Sequence, residues 1–272
     1  GHQSNQKISI IQAINNEIHP NFISQNLGDN QLKVLIPGCG TGNQILQTLR
    51  YRNAQITALD ISLSSLAYAQ RKINELKIDN VELIQMDILE VELLKEEFDI
   101  IECGGVLHHM EDPLEGLRAL NNQLKPGGYI KLALYSEIAR KTVIETRDQI
   151  KILNVQDDVD AIRKFRGQIL SGEFINLCKL TQFYTDFYSL SEFRDLCFHV
   201  HEVRFTTQML QTLLSKANLA FCGFMTSDST KKAYESKFPN DKNMTSLANW
   251  GTFEEQNPLT FKSMYQFWAC KP

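Results

Sequence analysis

The chain has no Cys-x-x-Cys pair, no long apolar run, no basic excess and no internal repeat or low-complexity tract. Each absence removes a class of protein. The six cysteines, Cys39, Cys103, Cys178, Cys197, Cys222 and Cys270, are scattered. That spacing encodes no zinc ribbon or thioredoxin-like site, and free thiols in a reducing, cytoplasmic compartment are expected. No metal site is expected. No stretch approaches the roughly 20 apolar residues a membrane-spanning helix needs. The polar start, Gly1 to Gln6, has no apolar core of a signal peptide, so none is expected. It also lacks a methionine, so the natural chain is expected to begin earlier. With 28 basic and 32 acidic residues the net charge is -4, which speaks against a broad nucleic-acid face. What is present is 272 residues, 43% of them hydrophobic and 22% charged. Such a chain can bury a sizeable core, as a domain with an added layer, and is neither disordered nor collagen-like.

Short apolar runs punctuate the first half: Val34-Leu35-Ile36, Ile56 to Leu59, Val81 to Ile84, Phe98 to Ile101 and Tyr129 to Leu134. Helical stretches separate them. Ser62 can cap a helix with Leu63, Leu66, Ile73 and Leu76 on one side. Asp112, Pro113 and Glu115 read as N-cap, N1 and N3 of another, which is expected to run to Leu124 and stop at Pro126-Gly127-Gly128. Strands alternating with helices predict a parallel sheet covered on both faces. An amphipathic helix with Ile8, Ile11, Ile14 and Ile18 precedes it, interrupted by Pro20. After the fifth run the alternation stalls. Residues 136–205 read as helical with no strand. A helix at 206–217, a strand at Leu219 to Phe224, a second helical interruption and a last strand from Met264 to Ala269 follow. The expected division is an N-terminal segment 1–30, an α/β domain of 31–135 and 206–272, and insertions at 136–205 and 226–263.

The strongest local signal is Val34-Leu35-Ile36-Pro37-Gly38-Cys39-Gly40-Thr41-Gly42-Asn43. A strand enters a glycine-rich turn that opens a helix, where bare backbone can lie against a ligand. Asp60, ending the next strand, can accept hydrogen bonds from two ribose hydroxyls. A dinucleotide fingerprint would need glycine where Asn43 stands, and a phosphate loop would need a lysine that is absent. The spacing G-x-G-x-G favours a nucleotide without a pyrophosphate.

These motifs, with Gln85-Met86-Asp87-Ile88, Phe98 to Met110 and Leu124-Lys125-Pro126-Gly127-Gly128, resemble in order and spacing those of class I S-adenosylmethionine-dependent methyltransferases. The resemblance covers residues 32 to 135, and Pro37 departs from it where many members carry an acidic residue. It implies a Rossmann-like, mostly parallel seven-stranded α/β sheet with helices on both faces, the last strand antiparallel. It implies S-adenosylmethionine as cofactor and S-adenosylhomocysteine as product. Carried over by position, Pro37, Gly38, Cys39, Gly40 and Gly42 would line the methionine and ribose part. Asp60 would hold the ribose hydroxyls and Ile61 the adenine. Asp87 would accept from the adenine amino group, Ile88 would lie beside the ring, and Cys103 and Gly104 would lie near the methionine end.

Leu134 to Arg140, Phe187 to Val200 and Met264 to Trp268 further resemble bacterial methyltransferases often joined to N-terminal tetratricopeptide repeats. That likeness implies a longer protein but names no acceptor. His109 and Tyr135, at the ends of the fourth and fifth runs, and His199, four residues from Asp195, are candidate catalytic groups; Asp195 could orient and charge that imidazole. His108, Tyr135, Asp195, His199 and Glu202 are candidates for the acceptor wall. Each has a plainer reading: a loop-supporting histidine, a core tyrosine, a helix-surface ion pair, a solvated turn. The motifs for base methylation of nucleic acids are absent after the fourth run. The expected reaction moves a methyl group to an N or O nucleophile of a protein or peptide side chain or of a small molecule, with no membrane partner. Two alternatives are a non-catalytic S-adenosylmethionine-binding sensor and, weakened by Asn43, a nicotinamide oxidoreductase.

Overall fold

The computed structural model describes residues 7–24, 27, 31–198 and 202–272, with Phe183 by its backbone alone. Seven strands form one sheet in the order β3-β2-β1-β4-β5-β7-β6. They are β1 (Leu32–Pro37), β2 (Ala54–Asp60), β3 (Val81–Gln85), β4 (Phe98–Gly104), β5 (Leu124–Tyr135), β6 (Ala220–Phe224) and β7 (Met264–Cys270). Neighbours among β1 to β5 run parallel, and β7 lies antiparallel between β5 and β6. β1 and β4 are buried on both faces, which is why they read as unbroken apolar runs.

Helices α1 (Ile10–Ile18), α2 (Asn43–Thr48) and α3 (Leu63–Leu76) cover one face, meeting Val34, Ile36, Ile56, Ala58 and Ile100. On the other face Leu35, Ile101, Cys103 and Leu132 meet α4 (Pro113–Gln123), α9 (Thr207–Lys216) and the last two helices, α10 (Asp228–Lys237) and α11 (Leu247–Gln256). Between β5 and α9 lie α5 (Lys141–Ile152), α6 (Val159–Leu170), α7 (Lys179–Phe183) and α8 (Leu190–Phe198). They close on their own small core, in which Val143, Ile162, Phe165, Leu180, Phe187 and Phe193 are buried together.

Several local expectations shift. Helix α1 begins at Ile10, because Ile8 instead bridges to Tyr51, and its buried face is Ile10, Ala13, Ile14 and Ile18. α3 buries Leu66, Ala69 and Ile73, while Leu63 and Leu76 at its ends stay exposed. α4 stops at Gln123. Leu124 already pairs with Phe98, and Gly127 and Gly128 bond the backbone of Lys271, so Pro126-Gly127-Gly128 is the irregular start of β5 rather than a separate turn. Among the described residues, the 136–205 stretch has no strand beyond a single bridge from Ser136 to Phe205.

Candidate active site

The strand order reverses between β1 and β4, the place where a crevice opens beyond the carboxyl ends of such a sheet. A cavity of about 450 Å³ lies there, lined by residues from the ends of four strands: Gly38, Asp60, Asp87 and Gly105 with Ile61, Met86, Ile88, Leu89, Val106, Met110 and Glu111. The volume suits a nucleoside-sized ligand, since such sites span about 300–1,000 Å³. Gly38 has φ +68°, and a Cβ there would sit 2.3 Å from Cγ2 of Val106. Only glycine lets the β1 loop pass under the loop after β4.

Asp60 is anchored on both oxygens. Oδ2 accepts from the Gly40 N–H at 2.7 Å and Oδ1 from the Ser62 N–H at 2.8 Å. An ionised carboxylate has about four acceptor sites, so it still has capacity for two hydroxyls. Asp87 is fixed similarly, with Oδ1 accepting from the Leu89 N–H at 2.9 Å as it caps the 3-10 turn Ile88–Leu94. Ile61 is 69% exposed, an apolar side chain left on the cavity wall with no core to cover it. Leu89 is exposed beside it on the same wall.

Other candidate residues lie off this cavity. Pro37 is buried at the end of β1, opposite Leu59. Gly40 contributes its N–H to Asp60, while Gly42, before α2, borders a separate small hollow with Tyr68 and Ala69. The side chains of Cys39 and Cys103 turn into the two sheet cores, and burial pushes each thiol up to about 12. Gly104 presents its carbonyl to Nε2 of Gln44 at 2.6 Å. Neither cysteine therefore offers its sulfur to a ligand.

At the tips of β4 and β5 the histidine pair divides. His108 is buried and its ring lies 3.8 Å, centroid to centroid, from Tyr135; His109 is exposed and meets Tyr135 edge-on at 5.8 Å. Burial, then the nearness of His109 and Arg140, lowers His108 to about 3, so its ring is neutral. The Arg140 guanidinium lies 3.7 Å from the Tyr135 ring centre. Glu202 is not a free acceptor wall. Its buried carboxylate receives Arg140 at 2.5 Å and Arg147 at 2.9 Å. Burial alone would raise that carboxyl, but the two guanidiniums outweigh it and hold Glu202 below the usual carboxylate range. Asp195 is exposed on α8, and its expected partner His199 lies outside the described residues.

Sequence reasoning missed Met86, Leu89, Gly105, Val106, Met110 and Glu111 on the cavity wall. Leu89 was within reach of it, as an apolar residue just after the Asp87 cap. Gly105, directly after Cys103-Gly104, was as well.

The comparisons agree with this geometry. Residues 29–179 match the family model described as Methyltransferase domain. An uncharacterised protein of Synechococcus sp. is 33% identical over 210 residues, 72% of this chain and 49% of that protein. A ubiquinone biosynthesis O-methyltransferase of Pseudomonas fluorescens is 34% identical over 116 residues, 42% of this chain and 49% of it. The structure of PKMT2 from Rickettsia typhi superimposes with a TM-score of 0.73 at 18% identity, covering 96% of this chain and 52% of that one. The chain thus spans about half the length of the relatives it matches. Family match, motif order and fold agree: the chain belongs to the methyltransferase-domain family, in the class I group that uses S-adenosylmethionine. The cavity fits that cofactor, with bare backbone at Gly38 and Gly105, spare acceptor sites on Asp60 and an uncovered apolar wall at Ile61 and Leu89.

Proposed function

We propose that the whole protein transfers the methyl group of S-adenosylmethionine to an N or O nucleophile of a protein or peptide side chain or of a small molecule. The carrying observation is Asp60, held by two backbone N–H groups at the end of β2, on the wall of a cavity whose lip is the uncovered Ile61. In this reading Asp60 holds the ribose hydroxyls, Ile61, Ile88 and Leu89 enclose the adenine, and Asp87 receives its amino group. The backbone of Gly38, Gly104 and Gly105 borders the methionine end. When bound, the cofactor supplies an electrophilic methyl carbon on a sulfonium.

The chain's own tasks are then alignment and exclusion of water. His109 and Tyr135 stand at the strand tips where an acceptor would approach. Segments 136–205 and 226–263 are assigned as its cover. Calorimetry tests the reading: S-adenosylmethionine and S-adenosylhomocysteine should both give saturable heat. Flat traces with both at millimolar level, with heat from NAD, would overturn it.

A further inference from the structure

Away from the donor cavity, two thiols meet at the edge of the sheet. β6 is the edge strand and β7 its antiparallel neighbour. Ala220 stands opposite Cys270 and Phe221 opposite Ala269, but the next pair is Gly223 with Trp268, so Cys222 is an extra residue in β6. Such a bulge bends its strand and leaves one residue out of the ladder. In plain alternation Cys222 would face Trp268. The bulge gives that place to Gly223 and leaves Cys222 between Trp268 and Cys270. All three side chains lie on the face covered by α1, whereas Phe221 and Ala269 lie on the other. The bulge is held from outside the sheet. Asn21 Nδ2 donates to the Cys222 carbonyl at 2.7 Å, and Gly223, at φ +151°, leaves room for Ile18, whose Cβ would be 3.1 Å from a Cβ there.

The two sulfurs are unequal. A hydrogen bond joins the thiols. Cys222 is buried, and the Ala220 carbonyl, 3.7 Å from its Sγ, is a second acceptor in reach. Cys270 is only half-buried, at the end of β7. The shared bond, then burial, raises the Cys222 thiol far above the usual range, and the same bond lowers Cys270. The thiolate therefore forms on Cys270, the sulfur that solvent reaches, with the Cys222 S–H beside it. Tyr129 stands opposite Cys270 on β5 and is pushed up to about 12, by burial first and then by these two sulfurs, so it is a neutral neighbour. The other thiols are placed differently. Cys39, Cys103 and Cys197 are buried, and burial pushes each up to about 12. Cys178 has the Ile169 and Phe174 carbonyls as acceptors, both at 3.5 Å.

We propose that Cys222 and Cys270 are a redox-active pair, which a hydroperoxide oxidises to an intramolecular disulfide. The Cys270 thiolate attacks one oxygen of the hydroperoxide. An S–O bond forms as the O–O bond breaks, and the departing oxygen takes a proton to leave as an alcohol or water. The Cys222 sulfur then attacks the sulfenic sulfur of Cys270. The S–S bond forms as the S–O bond breaks, and the hydroxide leaves as water with the Cys222 proton. Two thiols thus give up two electrons, and one hydroperoxide accepts them. The bond closes residues 223–269, with α10 and α11, into a covalent loop. It forms at the amino ends of the parallel strands, beside Tyr129, whereas the donor cavity lies past their carboxyl ends. From Tyr129 to Tyr135 the sheet spans roughly 20 Å at about 3.3 Å per residue, so oxidation leaves the donor cavity intact.

The test treats the reduced full chain with a few equivalents of hydrogen peroxide and maps its peptides by mass without reductant. The expected product is a monomer lighter by two hydrogens, with one link, Cys222 to Cys270, that dithiothreitol reverses. In Cys222→Ser the sulfenic acid should stop on Cys270 and be trapped there by dimedone. In Cys270→Ser, dimedone should label Cys222 at least about tenfold more slowly, because the thiolate and not the thiol is the nucleophile. Cys178→Ser should leave the link unchanged. S-adenosylhomocysteine affinity should hold within about twofold in the oxidised chain. A link made by Cys178, dimers in place of the internal link, or Cys270 passing to sulfinic acid with Cys222 still reduced overturns the proposal. So does equal dimedone labelling of Cys222 in Cys270→Ser. Loss of S-adenosylhomocysteine binding on oxidation overturns it as well, for the link would then report an unfolded chain rather than a built pair.

Discussion

Asp60 anchors two backbone N–H groups and, in the proposed reading, also holds the donor's ribose. Its oxygens fix the Gly40 and Ser62 N–H groups, so Asp60→Ala would disturb the loop as well as the ligand. Asp60→Asn keeps the size and one acceptor, removes the charge, and gives up one of the two backbone anchors, because its NH2 cannot accept from an N–H. A hydrogen bond to a charged group is worth about 1.5–3 kcal/mol, so donor affinity should fall roughly 10- to 150-fold. The melting temperature should change far less, and calorimetry beside thermal melts checks both. His108 makes a different prediction. It is buried against Tyr135 and lowered to about 3, whereas an unfolded chain protonates histidine near 6.5. As pH falls from about 6.5 toward 3 the unfolded state binds the proton first. Stability is then lost by up to about 1.4 kcal/mol per unit. His108→Phe keeps the ring contact and removes the titration. Melts at pH 7 and pH 5 should show a smaller drop in the variant; equal drops would mean that His108 does not titrate in this window.

At the scale of elements, one buried ion cluster joins the two ends of the insertion to each other, next to the sheet. Arg140 and Arg147 flank the start and middle of α5, and Glu202 lies in the segment returning toward α9. Next to it the Phe205 N–H donates to the Tyr135 carbonyl and the Glu137 N–H to the Phe205 carbonyl. Removing one partner leaves buried charge uncompensated, so Glu202→Ala should cost about 3–5 kcal/mol. Thermal or urea unfolding reads it. The sign with pH follows from the lowered Glu202 carboxyl. Its contribution is present above the unfolded glutamate value, near 4.3, and is lost as pH falls through its folded value. Acid below about pH 4 should therefore loosen α5 first, read as faster amide exchange in Lys141–Ile152 than in β4.

For the whole molecule, the separate small core of 143–197 sets up unequal stability. Sheet strands share cores on both faces, whereas the insertion packs mainly on itself. Donor binding should raise the global melting temperature by mass action. At 100 times its Kd a ligand adds about 2.7 kcal/mol, or roughly 5–11 °C for a domain of this size. Scanning fluorimetry with S-adenosylhomocysteine checks this, and no shift at saturating ligand would contradict the donor site.

The features that were legible from residues alone are those governed by local rules. Two-sided burial makes β1 and β4 continuous apolar runs, Ser62 and Asp112 cap helices by bonding N–H groups a few positions on, and the left-handed backbone at Gly38 demands glycine. From these came the alternating α/β order, the glycine turn and Asp60 at a strand end. Other features depend on contacts between distant positions: the pairing of Glu202 with Arg140 across 62 positions, Gln44 bonding Gly104 across 60, and the core-facing sulfur of Cys103. No periodicity or cap signals such contacts. They arise only when crossover connections bring distant segments to the same end of the sheet, where burial forces each polar group to find whatever partner the topology supplies.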